Sequence, residues 1–224
     1  MTQPRPPKPE HLGPGYAEQF CDESIARAYV HRPTHPREAF DVLRQLIPSS
    51  PRRVLDLGCG TGLVARELAA LVDHVDAVDF STAMIEQGLR LPNGDRPNLH
   101  WICSSAEQFA SNQPYDLITC GDAIHWFDWE VVFPKLRRML KPNGMLALLG
   151  VEAETTRPLD LLPLIRQHST NQKFSPYNLL DELTTRGHFT VLGEKTFRSK
   201  EYLQSIDDFI ESIHARNGFS RDRM

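Results

Sequence analysis

Nine consecutive residues constrain this chain more than any other stretch: Val54-Leu-Asp-Leu-Gly-Cys-Gly-Thr-Gly62, a short apolar run that ends in three alternating glycines. The run reads as a strand, residues 63–71 read as a helix, and the glycines form the turn between them. A glycine turn joining a parallel strand to a helix lies at the carboxyl edge of a sheet, where open α/β folds bind their ligands. Glycine there lets the backbone approach the ligand closely.

The same rhythm continues downstream. Residues 75–78 form a second apolar run that ends in Asp79, and Ser81 is a natural N-cap for a helix to about residue 91. Residues 99–103 and 117–120 read as strands and 128–140 as a helix. Lys141-Pro142-Asn143-Gly144 reads as a turn, and 145–151 as a strand buried on both faces. Strands separated by helices make βαβ units, so five parallel strands fit between residues 54 and 151. The fold class this predicts is α/β, a doubly wound, mostly parallel sheet.

The flanks differ. Tyr16, Phe20, Ile25 and Tyr29 follow a helical period that breaks at Arg32-Pro33-Thr34-His35-Pro36, because a residue before proline disfavours the α region. Residues 38–46 read as a second helix with Phe40, Leu43 and Ile47 on one face. Residues 1–15 hold five prolines and two glycines and read as a disordered or loosely attached tail. After residue 152 come helical and loop segments rich in Leu, with Phe174 and Tyr177 among them. A strand over 189–197 and a helix over 206–215 follow. The expected organisation is therefore a tail (1–15) and one domain (16–224). Within that domain, 16–50 are lid helices, 51–151 the ligand-binding core, and 152–224 a substrate cap with the C-terminal strand and helix.

Composition removes several function classes. Twenty-five basic against twenty-nine acidic residues give a net charge of -4, which argues against a general nucleic-acid or anionic-membrane binder. The longest apolar run, 145–151, is far too short to span a bilayer, and the first fifteen residues have no apolar stretch of a secretory signal. Cys21, Cys59, Cys103 and Cys120 show no CxxC spacing and read as reduced thiols of a cytoplasmic protein. His31 and His35 have a zinc-like spacing, but Pro33 between them breaks the helix such a site needs, so no metal is expected.

The glycine loop also discriminates among ligands. The dinucleotide fingerprint G-x-G-x-x-G fits Gly58 and Gly60 but meets Leu63 at its third position, and no G-K-[ST] of a phosphate loop is present. Asp56 stands two residues before the first glycine, where a carboxylate suits a cation better than a pyrophosphate. Asp79 ends the second strand, where an acidic side chain accepts both hydroxyls of a ribose. A ligand with a ribose and a positive charge but no phosphates is S-adenosyl-L-methionine.

VLDLGCGTG resembles the cofactor loop of the class I S-adenosylmethionine-dependent methyltransferases. AYVHRPTHP (28–36), SSAEQF (104–109), DAIHWFD (122–128) and LRRMLKPNGMLAL (136–148) resemble, in the same order, motifs of the trans-aconitate-type small-molecule branch. The resemblance covers residues 16 to about 151 and implies a Rossmann-like sheet and methyl transfer to a small molecule, most readily to an oxygen of a carboxylate or hydroxyl.

Position by position, the resemblance implies that Asp56 and the backbone of Gly58, Gly60 and Gly62 hold the methionine end of the cofactor. Asp79 then takes the ribose, and Phe80 and Met84 wall the adenine. The Ser105-Ala106-Glu107 turn meets the adenine edge, and Gly121 faces the methionine ammonium. The adenine-edge position is commonly Asp in the family; the Ser105 hydroxyl is a weaker, neutral acceptor, a loss of about 1 kcal/mol.

Tyr29, Arg32 and His35 precede the sheet and read as a lid over the cofactor. Arg32 is suited to the cofactor carboxylate or to an acidic substrate. His125 lies just past the fourth strand, beside the expected methyl donor. It reads either as a general base or polar substrate contact, with Trp126 shaping the pocket, or as a fold element bonded to backbone. His35, Trp126, Phe174 and Tyr177 are the candidate substrate contacts. Two rival readings remain at this stage: a nicotinamide-dependent oxidoreductase on a similar sheet, and a non-catalytic cofactor-binding protein of the same shape.

The family ends its sheet with a sixth strand and an antiparallel seventh. Residues 217–224 lack any period-2 apolar pattern, so they are not expected to form that strand. The sequence therefore predicts that 190–198 moves in beside 145–151, that a partner chain covers the edge, or that the chain is a shortened form of a longer one.

Overall fold

The computed structural model describes residues 8–47, 50–151, 163, 167–173, 177–198 and 202–224. Its centre is a parallel sheet of five strands: β1 (Arg53–Leu57), β2 (His74–Asp79), β3 (Leu99–Cys103), β4 (Tyr115–Gly121) and β5 (Leu140–Leu149), in the order β3-β2-β1-β4-β5. The helices are α1 (Pro14–Ala17), α2 (Glu23–Ala28), α3 (Arg37–Gln45), α4 (Ala65–Leu68), α5 (Thr82–Arg90), α6 (Trp129–Met139), α7 (Leu179–Thr185) and α8 (Ile206–His214).

Alternation along the strands divides the core into two layers. Leu55, Leu57, Ile118 and Cys120 face a layer built with Val132, Phe133 and Leu136 of α6 and with Leu183 of α7. Val54, Val75, Ala77 and Leu117 face the opposite layer, with Ala65 and Leu68 of α4 and Phe40 and Leu43 of α3. A strand covered on both faces is buried along its length, as β1 and β4 are, with Asp56 and Thr119 the polar residues that meet inside them.

The chain reverses direction along the sheet between β1 and β4, and the crevice outside the carboxyl ends of those two strands is the topological switch point. Asp56 and the glycine loop follow β1 there, and Gly121 ends β4.

Several expectations need correction. The strand at 145–151 is not buried on both faces. It belongs to β5, an edge strand that pairs only with β4 among the described residues, and its apolar side chains are half-buried. The turn expected at 141–144 lies inside β5, where Tyr115 pairs with Leu140 but Leu117 with Met145. Residues 189–198 form no strand: Val191 and Leu192 are exposed, and the segment does not move in beside β5. A strand needs a partner for its backbone groups, and none of the described chain offers one to this segment.

The helix expected over 63–71 shortens to α4. The amide of Ala65 is drawn to the Asp56 carboxylate at 3.0 Å and that of Gly62 to the Cys59 carbonyl at 2.8 Å. Residues 8–15 are not loose: Lys8 Nζ donates to the Phe127 carbonyl at 2.9 Å, and His11 and Leu12 are buried.

The continuous helix expected through 16–29 is broken at Asp22, whose backbone is extended. Its carboxylate is committed to the far end of the chain, accepting from Ser220 Oγ and Arg223 Nε, each at 2.6 Å. Residues 217–224, which form no strand, act as a strap across the N-terminal segment. Gly218 N donates to Gln19 Oε1 at 2.9 Å and Ser24 N to Asp222 Oδ2 at 3.1 Å. Ser81 ties the same segment to the sheet, capping the Met84 amide at 3.2 Å while donating to the Phe20 carbonyl at 2.7 Å.

Burial pushes the Asp22 carboxyl up, but the hydrogen bonds from Arg223 and Ser220 outweigh it and hold it below the usual carboxylate range. Its contribution is therefore present above the unfolded pKa and lost as pH falls through the folded one. Asp22→Ala is expected to cost about 1 kcal/mol at pH 7, given the partly exposed Arg223. That is a fall in melting temperature of about 2–4 °C for a chain of this size, with the loss shrinking toward pH 3. Thermal denaturation at the two pH values checks it; a loss as large at pH 3 as at pH 7 contradicts the strap.

Candidate active site

The site is built outward from Asp79. Its carboxylate lies at the end of β2, buried, and bridges two backbone amides: Gly60 N at 2.8 Å and Ser81 N at 2.9 Å. The first bond fixes the middle of the glycine loop, and the second fixes the start of α5. The Val78 carbonyl completes the loop by accepting from Gly58 N at 2.8 Å and Cys59 N at 3.0 Å. Burial raises the Asp79 carboxyl against the opposing pull of these amides.

All three loop glycines have left-handed backbone, with φ of 71°, 54° and 75° at Gly58, Gly60 and Gly62. The space around them differs. A Cβ on Gly58 would strike Ala123 at 2.5 Å, and one on Gly62 would strike Trp101 at 2.5 Å. At Gly60 the nearest atom is a Tyr29 ring carbon at 3.7 Å, so there the backbone is open toward the lid.

Asp56 is 1% exposed. One oxygen accepts from Thr119 Oγ1 at 2.8 Å and the other from the Ala65 amide at 3.0 Å. Burial pushes its pKa up to about 7, against the pull of those two donors. A nearby cation would restore its charge.

Asp56, Gly58, Cys59, Val64, Gly121 and Asp122 line a cavity of about 250 Å³ at the switch point, and Tyr29, Arg32 and His35 close it from the lid side. Arg32 Nη1 donates to Tyr29 Oη at 2.9 Å. A Cβ on Gly121 would come 3.2 Å from Val64 and 3.8 Å from the His35 ring, so the glycine keeps the cavity floor open. Asp122, with φ of 48°, stands next to it.

A second cavity of about 380 Å³ is lined by His11, Leu12, His125, Trp126, Tyr177 and Leu179, together with Asn171, Arg216 and Asn217. Trp126 meets the edge of Phe20 at 5.6 Å between ring centroids. Burial, then the charges of Lys8 and Arg32, lower His125 to about 4, so it is neutral at pH 7.

The structure thus gathers Tyr29, Arg32, His35, Asp56, Gly58 and Gly121 at one cavity, and His125, Trp126 and Tyr177 at the other. It does not bring every candidate to a cavity wall. Met84 is buried with Ile25 and Ala26, beneath the lid rather than open to it. Ala106 is in the core; Ser105 Oγ caps the Gln108 amide at 3.2 Å, and Glu107 accepts from the Asp128 amide at 2.9 Å. Phe80 is 38% exposed beside Asp79. Trp129 is a core residue whose indole donates to the Ile124 carbonyl at 2.7 Å. Phe174 lies outside the described residues.

Sequence reasoning missed Asp122, Ser212, Arg216, His11, Asn171 and Asn217. Asp122 follows the glycine that ends β4 and was within reach of pattern reading; the others lie far in sequence from the glycine loop and carry no local signal.

Residues 54–144 match the family described as "Methyltransferase domain". The chain is 24% identical over 195 residues to a malonyl-[acyl-carrier protein] O-methyltransferase of Ilyobacter polytropus, covering 84% of this chain and 72% of that one. It is 32% identical over 129 residues to another of that name from Halalkalibacterium halodurans, covering 54% of this chain but only 46% of the relative. The solved structure of a candidate type II methyltransferase from Anaeromyxobacter dehalogenans shares the fold, with a TM-score of 0.56 at 24% identity over 86% of this chain and 81% of that one.

Thr119→Val removes a donor that stabilises the charged form of Asp56. Without it the carboxylate costs more to bury, while the protonated form is little affected. The expected loss of stability is about 2 kcal/mol at pH 8 and visibly less at pH 5.5, below the Asp56 pKa. Denaturant titrations at both pH values test this; equal losses would contradict the buried carboxylate.

Proposed function

We propose that this chain, a class I S-adenosylmethionine-dependent methyltransferase by its core at residues 54–144, methylates a carboxylate oxygen of a small organic acid. The observation that carries the choice of acceptor is the state of His125. A base of pKa about 4 is a poor partner for an alcohol or phenol proton. His35 is lowered too, first by burial. A carboxylate is already ionised at pH 7 and needs no base. The relatives named for O-methylation support an oxygen acceptor.

The residues fit the cofactor. The loop backbone at Gly60 is open, Asp56 lines the cavity at the switch point, and the buried Asp79 carboxylate holds the loop beside it. In this reading Asp56 and Gly121 of the 250 Å³ cavity would hold the amino-acid end, and Arg32 its carboxylate. Asp79 would accept from the ribose hydroxyls, and Phe80 would pack on the adenine. When bound, S-adenosylmethionine would supply an electrophilic methyl group for an acceptor oxygen, with sulfur as the leaving group that keeps the electron pair. The protein's share is orientation and exclusion of water, provided by the lid and by the floor that Gly121 leaves open. Cytoplasmic placement belongs to the same reading, supported by four unpaired cysteines. Among the described residues no helix is long and apolar enough to cross a membrane.

Asp79→Ala is expected to weaken S-adenosylhomocysteine binding at least tenfold by calorimetry, since it releases the loop and removes the ribose acceptor. Unchanged affinity sinks the cofactor assignment. His125→Ala should keep most of its turnover of a carboxylate acceptor. With S-adenosylmethionine saturating, so that its positive charge keeps Asp56 ionised, the rate should also stay flat from pH 6 to 8, because His125 titrates well below that window. A rate that rises through pH 6–8 and vanishes in His125→Ala would make the histidine a base and overturn the acceptor class.

A further inference from the structure

The 380 Å³ cavity has a composition that the cofactor does not explain. Leu12, Trp126, Tyr177 and Leu179 give it an apolar and aromatic wall. His11 and His125 face it, and burial lowers both below the ordinary histidine value. Among the described residues its one permanent cation is Arg216, which follows the last turn of α8 and lines the 250 Å³ cavity as well.

Arg216 meets no carboxylate among the described residues, and the nearby Arg32 adds to burial in lowering its pKa. An arginine that borders an apolar cavity beside another cation is electrostatically unbalanced, and a carboxylate matches its planar fork. A second unmet group lies at the same wall: Tyr177 Oη is buried with no hydrogen-bond partner among the described residues. A buried hydroxyl left unpaired is unfavourable, so an acceptor atom brought there is held.

We propose that the methyl acceptor binds in this second cavity as a mid-sized organic monocarboxylate. Its body lies between Leu12, Trp126 and Leu179, and its carboxylate meets Arg216, the residue that borders the cofactor cavity as well. Arg216 is then the specificity-determining residue: it holds one oxygen and leaves the other free to face the methyl group. Tyr177 donates to the same acid. This rests on the methyl-transfer reading above.

The test uses the full chain saturated with S-adenosylhomocysteine, titrated by calorimetry with hexanoate and with its neutral isostere hexanamide. Hexanoate should bind at least tenfold more tightly than hexanamide. Each variant is saturated with S-adenosylhomocysteine at its own measured affinity, since Arg216 borders the cofactor cavity too; Arg216→Gln should then remove that preference, and Arg216→Lys should restore part of it. Tyr177→Phe should weaken hexanoate about threefold without lowering the melting temperature, because the hydroxyl it removes has no partner in the fold. A charge preference that survives Arg216→Gln, or equal binding of acid and amide, overturns the proposal even where the homologue binds. Failure of S-adenosylhomocysteine to bind at all overturns the underlying reading instead.

Discussion

The structure of the site depends on one carboxylate. Asp79 accepts from the amides of Gly60 and Ser81 and so sets the glycine loop and the start of α5 at once. Those amides sit at the ends of two neighbouring βα units, and a buried acceptor between them removes two unpaired donors that the turns would otherwise carry. Ser81 passes the constraint outward through its bond to the Phe20 carbonyl, and the strap 217–224 holds the same N-terminal segment from the other side. Loop, lid and strap are thus one connected set of hydrogen bonds around the switch point of the sheet.

Charge is distributed to match. Two buried carboxylates, Asp56 and Asp79, lie beneath the loop, and burial raises both. Two arginines, Arg32 and Arg216, lie on the opposite wall. A ligand with a cationic centre toward the sheet and anionic groups toward the lid relieves both sets. That is the charge pattern of S-adenosylmethionine beside an acidic acceptor.

Much of this was legible in the sequence because the signals are local. β1, β2 and β4 are mostly apolar and buried along nearly their whole length since helices cover both faces, and the D-x-G-x-G-x-G spacing marks the turn at the switch point. Ser81 was legible as a cap. What failed was non-local. The apolar run at 145–151 and the alternation at 189–197 look like buried strands, but burial depends on a neighbour the pattern cannot show. Asp22 breaks a helical period because its partners lie about 200 residues away, at Ser220 and Arg223. Arg216 has no local signature; its significance appears only in the fold, where it lines both cavities just past α8.

The central claim, that the loop held by Asp79 is an S-adenosylmethionine site, is tested most directly by hydrogen–deuterium exchange of peptides spanning 58–66 and 79–84. The account predicts slower exchange in both on addition of S-adenosylhomocysteine and no change with a nicotinamide dinucleotide. Protection by the dinucleotide, or none by the homologue, would contradict it.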